Sequence, residues 1–443
     1  MYLFCQNSLK TDKQIIFEQT ELGKLHRTLS LKELSALLPV KRQRSGAPGW
    51  VNSEGMIAML FLQRYTGLSD RKFIDHFNGN WQLQMFCGVQ LAINENIKDR
   101  NLMSRVRSYV SKHIDLDQFQ TIILKSWKPY LENTQVGMSD ATVYESHLRY
   151  PTDVKLLWEC CEYLHRELAV LQEKVGIKFS DKRYAKKKQA YLLYARSRKK
   201  SYRLTRKMRK MLLQVVEKLQ DNLQKKLNAY AKQERGQELK PVYKKLRLIK
   251  QVVTQQRYLA AHPGSKLSDR ILSIYKPYIR AIVRGKEVKA VEFGAKAHVV
   301  QVDGINYIEH LSYHAFNETT RLRSAIIKHK QLFGSCRQWS ADAIYATNKN
   351  RKYTTALRIT TNFVPKGYNK NDPTEKQMKA LLNKERSTRL EGSFGTEKNY
   401  YGLAKVKARK EATERLCIYF GVMTANAVRM IRKMEFSPHQ QAA

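Results

Sequence analysis

Three acidic residues stand out by type and setting: Asp140, Asp342 and Glu391. Asp140 lies in QVGMSDATVYESHLRYPTD, residues 135–153. There Val136, Met138 and Ala141 to Val143 are apolar or small, and Gly137 and Ser139 leave room. The pattern predicts a short buried strand with one charge on it. A carboxylate in that setting is costly unless a metal ion or a cation satisfies it. Asp342 ends a second short strand pattern, RQWSAD, and Glu391 and Lys398 lie seven residues, two helical turns, apart and so on one helix face. Two strand aspartates and a helix glutamate are the hard oxygen donors that Mg²⁺ prefers, with Mn²⁺ expected to substitute. Two such cations about 4 Å apart cleave and transfer phosphodiesters, one activating the attacking oxygen and the other stabilising the leaving 3′ oxygen. Glu385 and Glu397 compete with Glu391, and spacing alone does not reject them. Each acid also has a plain reading: a hydrogen-bonded strand aspartate, or a solvated helix face.

The charge balance says what such a site would act on. The 443 residues hold 81 Lys+Arg against 39 Asp+Glu, a net charge of +42. That excess predicts a polyanionic partner, nucleic acid before an anionic membrane surface, and strong salt dependence. No run of about 18 apolar residues predicts a membrane span, and MYLFCQNSLK lacks the layout of a signal peptide. The six cysteines form no CxxC and no zinc spacing with histidine, which predicts reduced packing residues in a cytosolic protein.

The elements that must position the acids follow in chain order. Residues 24–131 read as short helices carrying Arg64, Arg71, Arg105, Arg107 and Lys112, either a DNA-end reader or a scaffold and dimerisation domain. Ser30 to Glu33 has the spacing of a capping box, and Asp153 is the expected N-cap of the helix after the Asp140 strand. From Lys178 to Tyr258 the chain is helical and very basic, with Arg196 to Lys210 almost a nucleic-acid arm. Met208, Leu212, Val215, Leu219, Leu223, Leu227 and Tyr230 recur at steps of three or four, which predicts a helical hairpin broken at Gly236 and Pro241. It could track phosphates, pair two subunits, or stay a solvated face. Val291–Val302 alternates, with Lys296 and His298 on the polar side, and Asp303-Gly304 signals a type I′ turn into a returning strand, Ile305–Leu311. Leu357–Phe363 reads as a further strand, 364–374 as a loop, and SPHQQAA as a frayed tail. The sum is an α/β chain with a mixed sheet flanked by helices. The expected domains are a helical part, 1–131; a catalytic domain in two parts, 132–175 and 287–443; and a basic helical insertion, 176–286, after the first strand.

The segments DATVYESHLRYPTD, VEFGAKAHVVQVDGINYIEHLSYHAFNE, ADAIYATNKNR and RLEGSFGTEKNYYGLAKVKAR resemble the catalytic motifs of bacterial insertion-sequence DDE transposases of the insertion-sequence-five group. The lead-in HPGSKLSDRILSIYKPYIRAIVRGKEVK is similar to that group as well. The resemblance implies an RNase H-like fold with its catalytic, metal-binding triad on Asp140, Asp342 and Glu391. It implies an enzyme that binds terminal inverted repeats, cuts the element free and joins its 3′ ends to target DNA, as a dimer or larger assembly. The expected setting is the bacterial cytoplasm and nucleoid. Expected DNA contacts are Lys296, His298, Asn348, Arg351, Arg389 and Lys398, with Lys199, Lys200, Arg206 and Lys207 from the basic stretch. Relatives often carry arginine four residues ahead of the glutamate. Here that position is Ser387, with Arg386 and Arg389 beside it, while the E-x6-K spacing is kept. A DNA-binding relative without catalysis, or a nuclease without joining, are the competing functions.

Overall fold

The protein is described here by a computed structural model covering residues 12–39, 50–92, 94–176, 181–233, 239–283, 290–364 and 372–436. The expected breaker Gly236, most of the loop at 364–374, the tail SPHQQAA and Cys5 lie outside these residues. The fold is mixed α/β, as the patterning predicts, and divides into two compact units: residues 1–147 with 294–443, and residues 148–293.

The first unit begins with eight helices: α1 (Asp12–Gln19), α2 (Glu21–Arg27), α3 (Leu31–Ser35), α4 (Ser53–Thr66), α5 (Asp70–Gly79), α6 (Trp81–Phe86), α7 (Leu102–His113) and α8 (Leu116–Trp127). Asn52 caps α4 by accepting from the Gly55 amide at 2.8 Å. The capping box expected at Ser30 does not form: the Ser30 side chain makes no cap hydrogen bond to α3. A five-residue helix followed by a turn gives that serine little helix to cap.

The sheet has six strands: β1 (Val136–Glu145), β2 (Ala281–Val283), β3 (Val291–Val302), β4 (Ile305–Ser312), β5 (Gln338–Ala341) and β6 (Thr360–Thr361). Its order is β2-β3-β1-β5-β6, with β4 also on β3. β1 is antiparallel to β3 and parallel to β5, so it sits between a hairpin and a parallel pair. Asp303 and Gly304 both have positive φ, 48° and 82°, as a two-residue hairpin turn requires. The strand expected over Leu357–Phe363 shrinks to Thr360–Thr361. The preceding helix runs on to Ala356, and Arg358 turns the chain at φ 53°. The expected alternation of β3 also fails, because from Gly294 to Val302 every residue is buried, Lys296 and His298 included. Helices pack over this sheet: α13 (Leu322–Phe333) against β1 and β4, and α17 (Glu411–Glu435) against β4. A cluster of Phe61, Phe119 and Phe420 ties α4 and α8 to α17, with the last two rings stacked at 4.6 Å. The Gln120 side chain bonds the Ile308 backbone at 3.0 and 2.8 Å, joining α8 to the β4 strand. The remaining elements are α14 (Asn348–Ala356), α15 (Pro373–Glu385) and α16 (Glu391–Tyr400).

The second unit is built on α9 (Asp153–Lys174), α10 (Lys182–Arg196), α11 (Tyr202–Gln233) and α12 (Lys240–Ala261). Its core holds Leu212, Leu219, Leu223 and Leu227 of the predicted seam together with Leu157, Leu164 and Leu168 of α9 and Ile249 and Val253 of α12. Thr152, not Asp153, caps α9. Asp153 instead takes the Gln256 amide at 2.7 Å and an ion pair with Arg270, an interior role for a first-turn acid. Lys199, Lys200, Arg206 and Lys207 are exposed. The described cysteines, Cys87, Cys160, Cys161, Cys336 and Cys417, are free and buried. No helix among the described residues is long and apolar enough to cross a membrane.

Candidate active site

Side chains on a strand alternate between faces, so Asp140, Thr142 and Tyr144 of β1 point the same way. Each bonds one helical rod that runs from α15 through α16. Arg386 Nη1 donates to Asp140 Oδ2 at 2.9 Å. Lys398 Nζ donates to Thr142 Oγ1 at 2.9 Å. Tyr144 donates its hydroxyl to Glu397 Oε2 at 2.5 Å. These three rungs fix the rod against the strand.

The rod is not uniform. Residues Arg386–Leu390 form a π-turn between α15 and α16. An α-helix stacks residues three or four apart, whereas a π-turn closes over five. Arg386, five ahead of Glu391, is thereby brought over it, and Nη1 also donates to Glu391 Oε1 at 3.2 Å. The arginine that the sequence has one position early thus reaches the glutamate through one extra residue in the turn. Periodicity carries no signal for such a turn.

Asp342 directly follows β5, whose Ala341 pairs with Ser139 of β1, so each aspartate stands one residue past the same register pair of the two parallel strands. Gly137 lets β5 come this near: a Cβ there would stand 2.4 Å from the Trp339 ring. Trp339 Nε1 in turn donates to Ser139 at 3.1 Å. Asp342 accepts from the Ala343 amide at 2.7 Å, and Asp140 from the Ala141 amide at 2.7 Å. Burial pushes the Asp140 carboxyl above its ordinary range; the Ala141 amide and Arg386 pull it back, and Glu318 and Asp342 push it further up.

Glu318 is an acid whose place near the site the sequence did not reveal. It pairs with Lys296 at 2.6 Å, and Lys296 also donates to the Phe316 carbonyl at 3.0 Å. His298 is fully buried, its Nδ1 2.9 Å from Glu309, so in this arrangement its ring meets no solvent. Burial alone would raise Glu309, but hydrogen bonds from His298 and Arg321 hold it below its usual value. Of the other expected contacts, Asn348 is exposed. Arg351 donates to the Ala346 carbonyl at 3.0 Å and lies over Phe363. Arg389 is largely exposed and pairs with Glu385 at 2.6 Å, which occupies that competing acid. A small cleft at the start of α16 is lined by Thr388, Arg389, Gly392, Ser393, Gly304 and Arg429. Added Cβ atoms at Gly392 and Gly395 would meet nothing within 4 Å, leaving this side of α16 open.

Glu397, the other competing acid, is buried and held by Tyr144 and by Asn306 Nδ2 at 2.6 Å. Asn306 also bonds Ser393 Oγ at 2.7 Å. Burial raises the Glu397 carboxyl despite these donors.

Among the described residues no three His, Cys, Asp or Glu side chains are grouped as a ready-made metal cage. The donors nonetheless fit a hard divalent cation, since they are carboxylates without thiol or imidazole. Two of them, Asp140 and Glu391, already converge on one positive group, Arg386.

No curated protein and no solved structure matches the chain. Residues 10–109 match the family described as Transposase domain (DUF772), a segment that takes in α1 to most of α7. That match covers 100 of the 443 residues and takes in none of Asp140, Asp342 and Glu391; for that segment it supports a transposase relationship at a coarse level.

Proposed function

We propose that the protein is a metal-dependent DDE transposase that binds the inverted repeats of a transposable element, cuts its ends and joins their 3′ termini to target DNA. The observation that carries the reading is the meeting of Asp140 and Glu391 on Arg386, with Asp342 near enough to act on Asp140. A first strand between an antiparallel hairpin and parallel neighbours supports an RNase H-like sheet. The basic helices α10 to α12 are then the insertion after that strand.

Asp140, Asp342 and Glu391 would hold Mg²⁺ or Mn²⁺. When bound, such cations activate the attacking hydroxyl and offset charge on the leaving 3′ oxygen. The chain's own residues position the substrate. Arg389 and Arg351 meet DNA phosphates from the open side of the site, while Lys398 braces α16 on Thr142 beside them. Lys199, Lys200, Arg206 and Lys207 supply charge that a duplex backbone would neutralise. Double-stranded ends and target are the partners, and two copies or more hold two ends in the bacterial cytoplasm.

A strand-transfer assay tests this. Protein, a pre-cut terminal duplex, target DNA and Mg²⁺ are expected to give a product with the 3′ end linked to a new strand. Asp140→Asn is expected to lower its formation by about a thousandfold or more. Undiminished joining by Asp140→Asn overturns the assignment. The lack of a preformed three-acid cage among the described residues favours one second reading, a DNA-binding relative without catalysis. End binding by the intact protein with neither cutting nor joining in Mg²⁺ or Mn²⁺ would establish it, and cutting alone would indicate a nuclease.

A further inference from the structure

We propose that Arg386 is a movable counter-cation of the acidic site. It competes with the divalent cation for Asp140 and Glu391, and a DNA phosphate draws it away, so that metal loading is coupled to DNA binding. The proposal rests on the metal-dependent reading above and names the residue that regulates that site.

Three observations carry it. First, one nitrogen, Nη1, serves both carboxylates, at 2.9 Å and 3.2 Å. A cation held by the same two groups meets a positive charge already among them, and the two repel. Second, the guanidinium is poorly satisfied. Its side chain is 14% exposed, and its Nε is buried without a hydrogen-bond partner. A buried donor left unmet carries a desolvation cost. A phosphate offers guanidinium two parallel acceptors, which is the better match. Third, the way out is short. Glu391 is 52% exposed, and beyond it Gly392 and Gly395 leave open space for a DNA backbone. The π-turn that sets Arg386 over Glu391 is a local irregularity of a kind frequent at functional sites.

The test titrates Mn²⁺ into the full-length protein by calorimetry, with and without a short duplex, subtracting Mn²⁺ taken up by the duplex alone. Wild type, Arg386→Gln, Arg386→Lys and Asp140→Asn are compared. Without DNA, Arg386→Gln is expected to bind Mn²⁺ about tenfold more tightly than wild type, the loss of one charge-assisted interaction. Arg386→Lys, which keeps charge but not the fork, falls between them and decides the matter if the glutamine variant does not fold. Duplex DNA tightens Mn²⁺ binding by wild type and leaves Arg386→Gln unchanged. Equal or weaker Mn²⁺ binding by both Arg386 variants, with Asp140→Asn still abolishing it, overturns the proposal and leaves the metal site standing. Mn²⁺ binding untouched by Asp140→Asn removes the metal site and the proposal with it.

Discussion

One face of β1 carries two acid–helix contacts of opposite character. At Asp140 the partner is a charged arginine, the carboxylates are partly open to solvent, and a second aspartate stands close by. At Tyr144, four residues on, the partner is Glu397, fully buried and met by a hydroxyl and an amide. Both use the same strand and the same helical rod, yet only at Asp140 is the hydrogen-bonding partner itself a cation. Neutral donors that cannot leave make Glu397 a structural fastening. An arginine with an unmet nitrogen makes the Asp140 end exchangeable. The difference separates an acid that holds the fold from acids that can change partners. It follows from burial and partner type, since Glu391 and Glu397 sit on one helix at spacing that either role allows.

The strongest way to break that contrast is Asp342→Ala. If the Asp140 end is catalytic, cleavage should fall by about a thousandfold or more. DNA binding should survive. Stability should drop by at most about 1 kcal/mol, the value of the small cap that Asp342 makes on Ala343. Denaturant unfolding and a gel-shift titration measure the last two. Loss of folding and binding together would move Asp342 into the structural class and erase the distinction.

Glu397→Ala tests the other end. It strips a buried tyrosine hydroxyl and a buried asparagine amide of their acceptor, and should cost about 3 kcal/mol. Acidity offers a second measure. The native Glu397 carboxyl is raised by burial above its unfolded value. Its contribution is then fully present below the unfolded value and is lost as pH rises through the native one. The stability difference between wild type and Glu397→Gln should therefore change across that interval, with wild type losing ground as pH rises. A difference independent of pH would mean that Glu397 does not titrate from a buried state.

Much of this arrangement was legible beforehand, and the failures share causes. The carboxylate on an apolar stretch marked β1, and Asp303-Gly304 marked the β3–β4 turn, because a charge in a core and paired positive φ values leave plain compositional traces. The hidden parts depend on what covers an element. His298 and Lys296 sit at polar positions of an alternating strand, but the neighbouring strand β4 gives His298 Glu309 as a partner and the short helical turn after it gives Lys296 Glu318. Leu357–Phe363 has strand composition, but edge pairing at Thr360 and Thr361 is all that the adjoining helix and turn leave. The π-turn is hidden most completely, since one extra residue in a helix alters no local preference and moves Arg386 onto Glu391. Choosing among Glu385, Glu391 and Glu397 required knowing their partners, which spacing does not encode.

The finest test is Tyr144→Phe, which removes one oxygen from the buried end and leaves the aromatic packing. Tyr144 is fully buried, and Glu397 would keep only Asn306 as a donor from this pair. The expected cost is about 1–2 kcal/mol by thermal or urea unfolding. With one stabilising donor gone, the Glu397 carboxyl should rise further, so the pH interval over which wild type and variant differ should extend upward. Metal titration and DNA binding should stay within about twofold of wild type, because the rungs at Asp140 and Thr142 still hold the rod. Should Tyr144→Phe instead alter Mn²⁺ binding as strongly as substitutions at Arg386, the two ends of the strand act as one coupled network. The exchangeable site would then extend to Glu397, and the fastening role assigned to that acid would be lost.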